Sequence, residues 1–281
     1  MASSKESGVS KSEKQGSDPM ALAKRASGIA AVRQSIQLPP AGAWESADFK
    51  PLVLGIGSGS TVVPVVDALK NKILKSPGGW NANVRNIVCV PTSWQAKDLI
   101  VGAGLPLGDL SQYPDVDIDI DGADEVDSGL NCIKGGGGCH LQEKLVAYNS
   151  KMFVLVADWR KESEALGTKW TQGVPIEVVP MAWVPVSRKL KELGAVSVTL
   201  RMAVRKAGPV ITDNGNLILD THFGPIRDPR DLEFRLNAVA GVVEVGLFVG
   251  LAEIAYFGRA DGSVLVRRKG QADEIIQGND E

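Results

Sequence analysis

Short apolar runs alternating with helical patterns constrain this chain more than any other feature. Pro51-Leu-Val-Leu-Gly-Ile-Gly, Asn86-Ile-Val-Cys-Val, the alternating Asp117-Ile-Asp-Ile-Asp and Met152-Phe-Val-Leu-Val-Ala read as strands. Between them, Thr61–Leu74, Ser93–Ala103 and Leu141–Ser150 carry helical spacing, and an Ala-rich stretch from Met20 to Ile36 reads as a helix in front. Strands and helices in this order predict βαβ units around a mainly parallel sheet.

The pattern changes after Pro175. Ile176-Glu-Val-Val, a helix over Val186–Leu193, a strand over Ser197–Val204, the turn Thr212-Asp-Asn-Gly-Asn, Leu217–Asp220 and a helix near Asp231–Ala238 make a small α+β unit. Asn214-Gly215 between apolar runs is a hairpin signal. The expected organisation is a polar, disordered tail over 1–19, a Rossmann-like, mainly parallel sheet domain over 20–175 plus 251–281, and an inserted small α+β, ferredoxin-like domain over 176–250.

Three loops fall at predicted strand ends or helix starts. Gly55-Ile-Gly-Ser-Gly-Ser-Thr61 joins a strand to a helix, where backbone N–H groups and a helix N-terminus attract anions. Ser58, Ser60 and Thr61 add hydroxyls. A dinucleotide fingerprint wants Gly or Ala where Ser60 stands, and a P-loop wants Gly-Lys-Ser/Thr, so a small phosphate fits better. The second loop, Asp117-Ile-Asp-Ile-Asp-Gly-Ala-Asp-Glu125, packs five acids into nine residues. Their mutual repulsion is costly unless a metal, hydrogen bonds or acid/base work offsets it. Alternation puts Asp117, Asp119 and Asp121 on one face.

The third, Lys134-Gly-Gly-Gly-Gly-Cys-His-Leu-Gln-Glu-Lys144, is the sharpest. Four glycines are costly to order, and they make sense where backbone amides must lie against developing negative charge. Lys134 on one side and Glu143 on the other complete what proton abstraction beside a carbonyl requires.

Composition removes other classes. Net charge is −2 with no basic stripe, which argues against nucleic acid. Two histidines and three cysteines without metal spacing argue against a zinc or non-haem iron site and against a disulfide framework. No apolar run is long enough to span a membrane, and the first 19 residues lack a signal-peptide core, so a cytoplasmic protein is expected.

These loops, with Gly173-Val-Pro-Ile-Glu-Val-Val-Pro-Met-Ala and Ala207-Gly-Pro-Val-Ile-Thr-Asp-Asn-Gly-Asn, resemble the ribose-5-phosphate isomerase A family from Ala23 to about Arg268, and Pro-Thr-Ser-Trp-Gln-Ala is similar to its eukaryotic branch. The resemblance implies a metal-independent, cofactor-free aldose–ketose isomerase of the pentose phosphate pathway, acting on ribose 5-phosphate and ribulose 5-phosphate, and a homodimer or homotetramer. It implies Glu143 as general base, Asp121 and Asp124 as acids for ring opening and hydroxyl protons, and Lys134 beside the reacting oxygens. Ser58, Gly59, Ser60 and Thr61 match the substrate loop; Gly122 and Ala123 lie between the two acids. Gly135, Gly136 and Gly137 match the amide cradle, with Lys24 and Lys169 as further basic contacts. Two departures stand out. Ala240 replaces a usual Pro, and His140-Leu141 replaces Leu-Thr, which makes His140 an expected exposed cap and leaves Cys139 to substitute in capping. Rival readings are an amino-sugar phosphate isomerase-deaminase, which uses a catalytic His, and a non-catalytic sugar-phosphate sensor, which would carry a DNA-binding helix pair.

Overall fold

The structure, a computed structural model, describes residues 18–278. The expected disordered tail lies outside the described residues except at its last two positions. There Asp18 caps the first helix and Pro19 begins it.

The first half runs α1 (Pro19–Ser35), β1 (Leu52–Ile56), α2 (Val63–Lys75), a short α3 (Gly79–Asn83), β2 (Ile87–Pro91), α4 (Trp94–Gly102), β3 (Val116–Gly122), β4 (Glu125–Val126), β5 (Cys132–Ile133), α5 (His140–Tyr148) and β6 (Ser150–Asp158). The second runs β7 (Val174–Val178), α6 (Trp183–Glu192), β8 (Ser197–Leu200), β9 (Leu217–His222), α7 (Pro229–Asn237), β10 (Val242–Val245), β11 (Leu247–Phe248), β12 (Ala252–Gly258), β13 (Ser263–Arg268) and β14 (Glu274–Gln277).

The main sheet has the order β14-β13-β12-β6-β3-β1-β2. Its five strands from β12 to β2 are parallel, and the final hairpin β13–β14 adds antiparallel strands at one edge. The chain after Leu251 thus returns to the first sheet, as the sequence predicts. One face buries Leu54, Ile56, Ile118, Ile120, Val154 and Val156 against α1 and α2. The small side chains of α1 permit close approach: a Cβ on Gly258 would sit 1.9 Å from the Ala23 carbonyl oxygen. The opposite face buries Phe153, Leu155 and Phe257 with Phe248 and Ala147.

A second, wholly antiparallel sheet has the order β10-β7-β9-β8, with α6 and α7 as its helices. Strand–helix–strand–strand–helix–strand in that order is a ferredoxin-like unit, and it has its own apolar core around Ile176, Val186, Leu190, Leu219 and Leu236. The fold is α/β with a small α+β unit, as expected.

Two details differ. Strand β8 stops at Leu200 rather than Val204, and the connection to β9 is long and irregular. The Asn214-Gly215 turn closes only the local bonds between Thr212 and Asn216, not the hairpin itself. The three-stranded sheet β11-β5-β4 joins the two larger ones, and its two-residue strands are too short to leave a periodic signature.

Candidate active site

The acidic strand is built by alternation. On β3, Ile118 and Ile120 point into the core under α1 and α2, while Asp119 and Asp121 point to the other face, under α5. Both aspartates are fully buried. Their space comes from β1, where Gly55 pairs with Asp119 in register. A Cβ on Gly55 would lie 2.5 Å from Asp119 Oδ1, and one on Gly57 would lie 1.9 Å from Asp121 Oδ1. The first two glycines of the phosphate-type loop therefore make room for acids.

Asp121 is the hub. Its Oδ1 accepts from the N–H groups of Ser58 at 2.9 Å and Gly122 at 2.6 Å, and its Oδ2 lies 2.9 Å from Lys134 Nζ. Lys134 is 2% exposed, donates also to the Gly122 carbonyl, and comes within 3.4 Å of Glu143 Oε2. Burial opposes its charge, but Asp121 and Glu143 hold the ammonium above the usual lysine range. Glu143 lies in the first turn of α5 and is 5% exposed. Burial pushes its carboxyl up to about 8 against the pull of Lys134, with Asp121 and Asp124 adding to the rise. Asp119 lies deeper, with neither carboxylate oxygen hydrogen-bonded. Burial, then its neighbour Asp121, holds it well above the carboxylate range.

The glycine loop turns at Gly135, where φ is +97° and a Cβ would meet His140 Nδ1 at 2.7 Å. The Gly136 N–H donates to Asp124 Oδ2 at 2.7 Å, so one amide of the expected cradle is already committed. Burial raises the Asp124 carboxyl, with that hydrogen bond and Lys134 opposing.

The two glycine loops, Asp124, Lys134 and Glu143 line a cleft of about 240 Å³ at the C-terminal ends of the parallel strands. Ser58, Gly59, Ser60, Thr61, Gly122, Ala123, Asp124, Lys134, Gly135, Gly136, Gly137, Glu143 and Lys24 all reach it. Lys24, on α1, donates to Ser60 Oγ at 2.8 Å, and Gln95 holds the Gly59 N–H at 2.8 Å. Asp121 is not on the cleft wall; it supports the wall from beneath.

Three expectations are corrected. Lys169 does not line the cleft; its ammonium turns to the carbonyl of Glu162 and its backbone N–H goes to Glu125. Arg160 and Lys161, just past the end of β6, stand at the cleft instead. Their signal was available, since they follow a predicted strand's C-terminal end. His140 is not an exposed cap but fully buried, with neither ring nitrogen in a well-aligned hydrogen bond. Burial first, then the cations Lys144 and Arg201, pushes its pKa down to about 3. Cys139 occupies the N-cap position of α5 without a side-chain capping bond.

Comparison with known proteins bears on this arrangement. Residues 88–262 match the family described as Ribose 5-phosphate isomerase A (phosphoriboisomerase A). The chain belongs to this family. It is 52% identical over 233 residues to the ribose-5-phosphate isomerase of Schizosaccharomyces pombe, covering 83% of this chain and 82% of the relative. The human ribose-5-phosphate isomerase is 51% identical over 217 residues, 77% of this chain and 68% of the relative. Among solved structures, ribose 5-phosphate isomerase A from Methanocaldococcus jannaschii superposes with a TM-score of 0.75 at 38% identity, covering 88% of this chain and 98% of that one. A D-ribose-5-phosphate isomerase in complex with phospho-erythronic acid also gives 0.75, at 35% identity, covering 92% of this chain and 99% of the other.

Proposed function

We propose that this chain interconverts D-ribose 5-phosphate and D-ribulose 5-phosphate through an enediolate, with Glu143 as the base. The observation that carries the reading is the buried Glu143 carboxylate 3.4 Å from the Lys134 ammonium, at the end of the glycine loop and inside one cleft. The activity is that of the family, and the complex of a relative with phospho-erythronic acid supports a sugar phosphate as the ligand class.

The two ends of the cleft divide the work. Ser58–Thr61, Lys24, Arg160 and Lys161 offer hydroxyls, amides and cations to the phosphate. At the other end lie Lys134, Glu143, Asp124 and the amides of the glycine loop. In the open-chain aldose, Glu143 takes the proton from C2. The electron pair forms the C1–C2 double bond, and O1 takes the negative charge. Lys134 and the Gly137 amide, the Gly136 N–H being held by Asp124, stabilise that oxyanion, and one such donor is worth about 2.7–4 kcal/mol in comparable sites. A proton passes from O2 to O1, for which Asp124, on the cleft wall with a raised pKa, is the placed carrier. Glu143 then returns its proton to C1 as the C2 carbonyl forms. Asp121, with both oxygens occupied, serves by holding Ser58, Gly122 and Lys134 in register.

The proposal includes a division into a catalytic domain, 20–175 with 251–281, and a lid, 176–250. Separate apolar cores support the division, one under the parallel sheet and one around Ile176, Val186 and Leu219; Gln142 donates to Asn214 Oδ1 at 3.2 Å and the Trp94 N–H to Asp213 Oδ2 at 3.2 Å between the two. It extends, on family membership, to a cytoplasmic homodimer or homotetramer. No described helix is long and apolar enough to cross a membrane.

The test is conversion of ribose 5-phosphate by the purified chain in excess EDTA, beside Glu143→Gln. Turnover that survives the chelator and is lost in the variant supports the reading; full activity in the variant removes Glu143 from the role of base.

A further inference from the structure

Arg201 lies just beyond β8 in the small α+β unit, yet its side chain reaches the glycine loop of the large one. Nη1 donates to the carbonyl oxygen of Gly135 at 3.0 Å and to that of Gly136 at 3.1 Å. The rest of the guanidinium is gripped by Asp220 on β9, with Nε to Oδ2 at 2.9 Å and Nη2 to Oδ1 at 2.5 Å. Both side chains are largely shielded, at 15% and 18% exposed, so the fork is a fixed support rather than a passing surface pair.

A trans peptide is planar, with its carbonyl and the following N–H pointing in opposite directions. The Gly135 carbonyl shares its plane with the Gly136 N–H, and the Gly136 carbonyl with the Gly137 N–H. An arginine that holds both carbonyls on one side therefore turns both N–H groups to the other. The Gly136 N–H does point away, to Asp124 Oδ2 at 2.7 Å on the cleft wall. Glycine, having no Cβ, has little intrinsic preference between the two orientations of each plane. The loop's own turn shares in fixing the first plane, since the Gly138 N–H also donates to the Gly135 carbonyl at 2.9 Å, whereas the second plane is held through the Gly136 carbonyl by Arg201.

We infer that Arg201 is a positioning residue for the isomerisation: it sets the two peptide planes that turn the Gly136 N–H to Asp124 and the Gly137 N–H away from the guanidinium, with Asp220 holding the guanidinium. This rests on the reading that the Gly137 amide faces the charged intermediate and that Asp124 carries its hydroxyl proton. It also gives the small unit a role in assembling the reaction centre, beyond covering it.

Two readouts test it on the full-length chain. The first is steady-state kinetics on Arg201→Ala, Arg201→Lys and Asp220→Asn, with thermal melting to verify folding. In folded Arg201→Ala, kcat falls at least about tenfold, because the Gly137 amide is no longer aimed at the oxyanion and Asp124 loses the Gly136 N–H that holds it, while KM stays within about threefold. Arg201→Lys does not restore it, since one ammonium cannot hold two carbonyls and a carboxylate, and millimolar guanidinium recovers part of the loss in Arg201→Ala only. The second readout needs no turnover. Amide hydrogen exchange of glycine-labelled protein shows Gly136, whose N–H is bonded to Asp124, exchanging at least about tenfold faster in the variants, with distant glycines unchanged. A folded Arg201→Ala with normal kcat, a loss confined to KM, or unaltered glycine exchange overturns the inference. If Arg201→Ala does not fold, Asp220→Asn decides by the same measures. Accelerated exchange in a chain that never turns over ribose 5-phosphate would refute the isomerase reading while leaving the positioning of the loop intact.

Discussion

Gly57 faces Asp121 so closely that a Cβ on the glycine would lie 1.9 Å from the carboxylate Oδ1. The acid that organises Ser58, Gly122 and Lys134 exists only because the neighbouring strand has no side chain there. The glycine loop on β1 and the acidic strand β3 are therefore one unit, and changes in either should be read in the other.

Gly57→Ala is expected to displace Asp121 and lower both stability and kcat. Overpacking of this kind costs about 1–3 kcal/mol, and the shifted carboxylate also moves Lys134. Gly102→Ala, where nothing lies within 4 Å of the added methyl, is the control and should leave both unchanged or raise stability slightly. Thermal melts and initial rates on the two variants separate them; equal behaviour would show that Asp121 tolerates the displacement.

The proposed base, Glu143, should reveal itself by pH. Burial raises Glu143 to about 8, so its ionised form accumulates as pH rises through that value, and kcat/KM should rise with it. Stability moves the other way. A carboxyl raised in the folded state favours folding below its unfolded value, and this contribution is lost as pH climbs from about 4.5 to about 8. Glu143→Gln removes the loss, so the variant should gain stability relative to the parent between those limits. Denaturant midpoints at a series of pH values check this; parallel curves for the two proteins would mean that Glu143 is not held neutral.

How much of this was legible in sequence depends on range. The alternation of strands and helices, the small α+β order after Pro175 and the pairing of Lys134 and Glu143 across the glycines follow from local pattern, and so were visible; Asp124 joined them only through the family resemblance. The competition between burial and Lys134 at Glu143 can be stated from the sequence, but its outcome cannot, because that depends on how completely α5 covers β3. His140 reads as a cap from its position at a helix start, but its ring packs beneath Gly135, a contact that only the turn of the loop creates. Arg201 lies 66 and 65 residues from the carbonyls it holds, and no local spacing announces a bond across two sheets. The two-residue strands β4, β5 and β11 carry too few positions for any period to register.

Lys134 joins stability to chemistry. Its ammonium stands between Asp121 and Glu143 with Asp119 nearby, so Lys134→Met leaves buried carboxylates without a cation. Breaking a buried pair in this way typically costs about 3–5 kcal/mol, and the lost donor should cut kcat by about 10²–10³. Because carboxylates that lose a cation hold protons more tightly, the variant should also be most destabilised at alkaline pH. Chemical denaturation at pH 6 and pH 9 tests this; a pH-independent difference would mean that the cluster is neutralised by other means.

The basic residues at the cleft rim give the sharpest contrast between sequence expectation and structure. Lys161 lines the cleft beside Arg160, with its ammonium 5.0 Å from the centre of the Trp170 ring, whereas Lys169 is turned to Glu162. If the phosphate binds between Ser58–Thr61 and these cations, Lys161→Ala should raise KM for ribose 5-phosphate about tenfold or more, with a smaller effect on kcat, as expected for a charge-assisted contact of about 1.5–3 kcal/mol made equally in ground and transition states. Lys169→Ala should leave KM within about twofold, because the side chain is anchored away from the ligand. Raising ionic strength should weaken binding to the parent more than to Lys161→Ala, since the cation that salt would screen is already gone. The reverse outcome, a large KM effect at Lys169 and none at Lys161, would place the phosphate on the far side of the Glu162–Lys169 loop and move the substrate's orientation in the cleft with it.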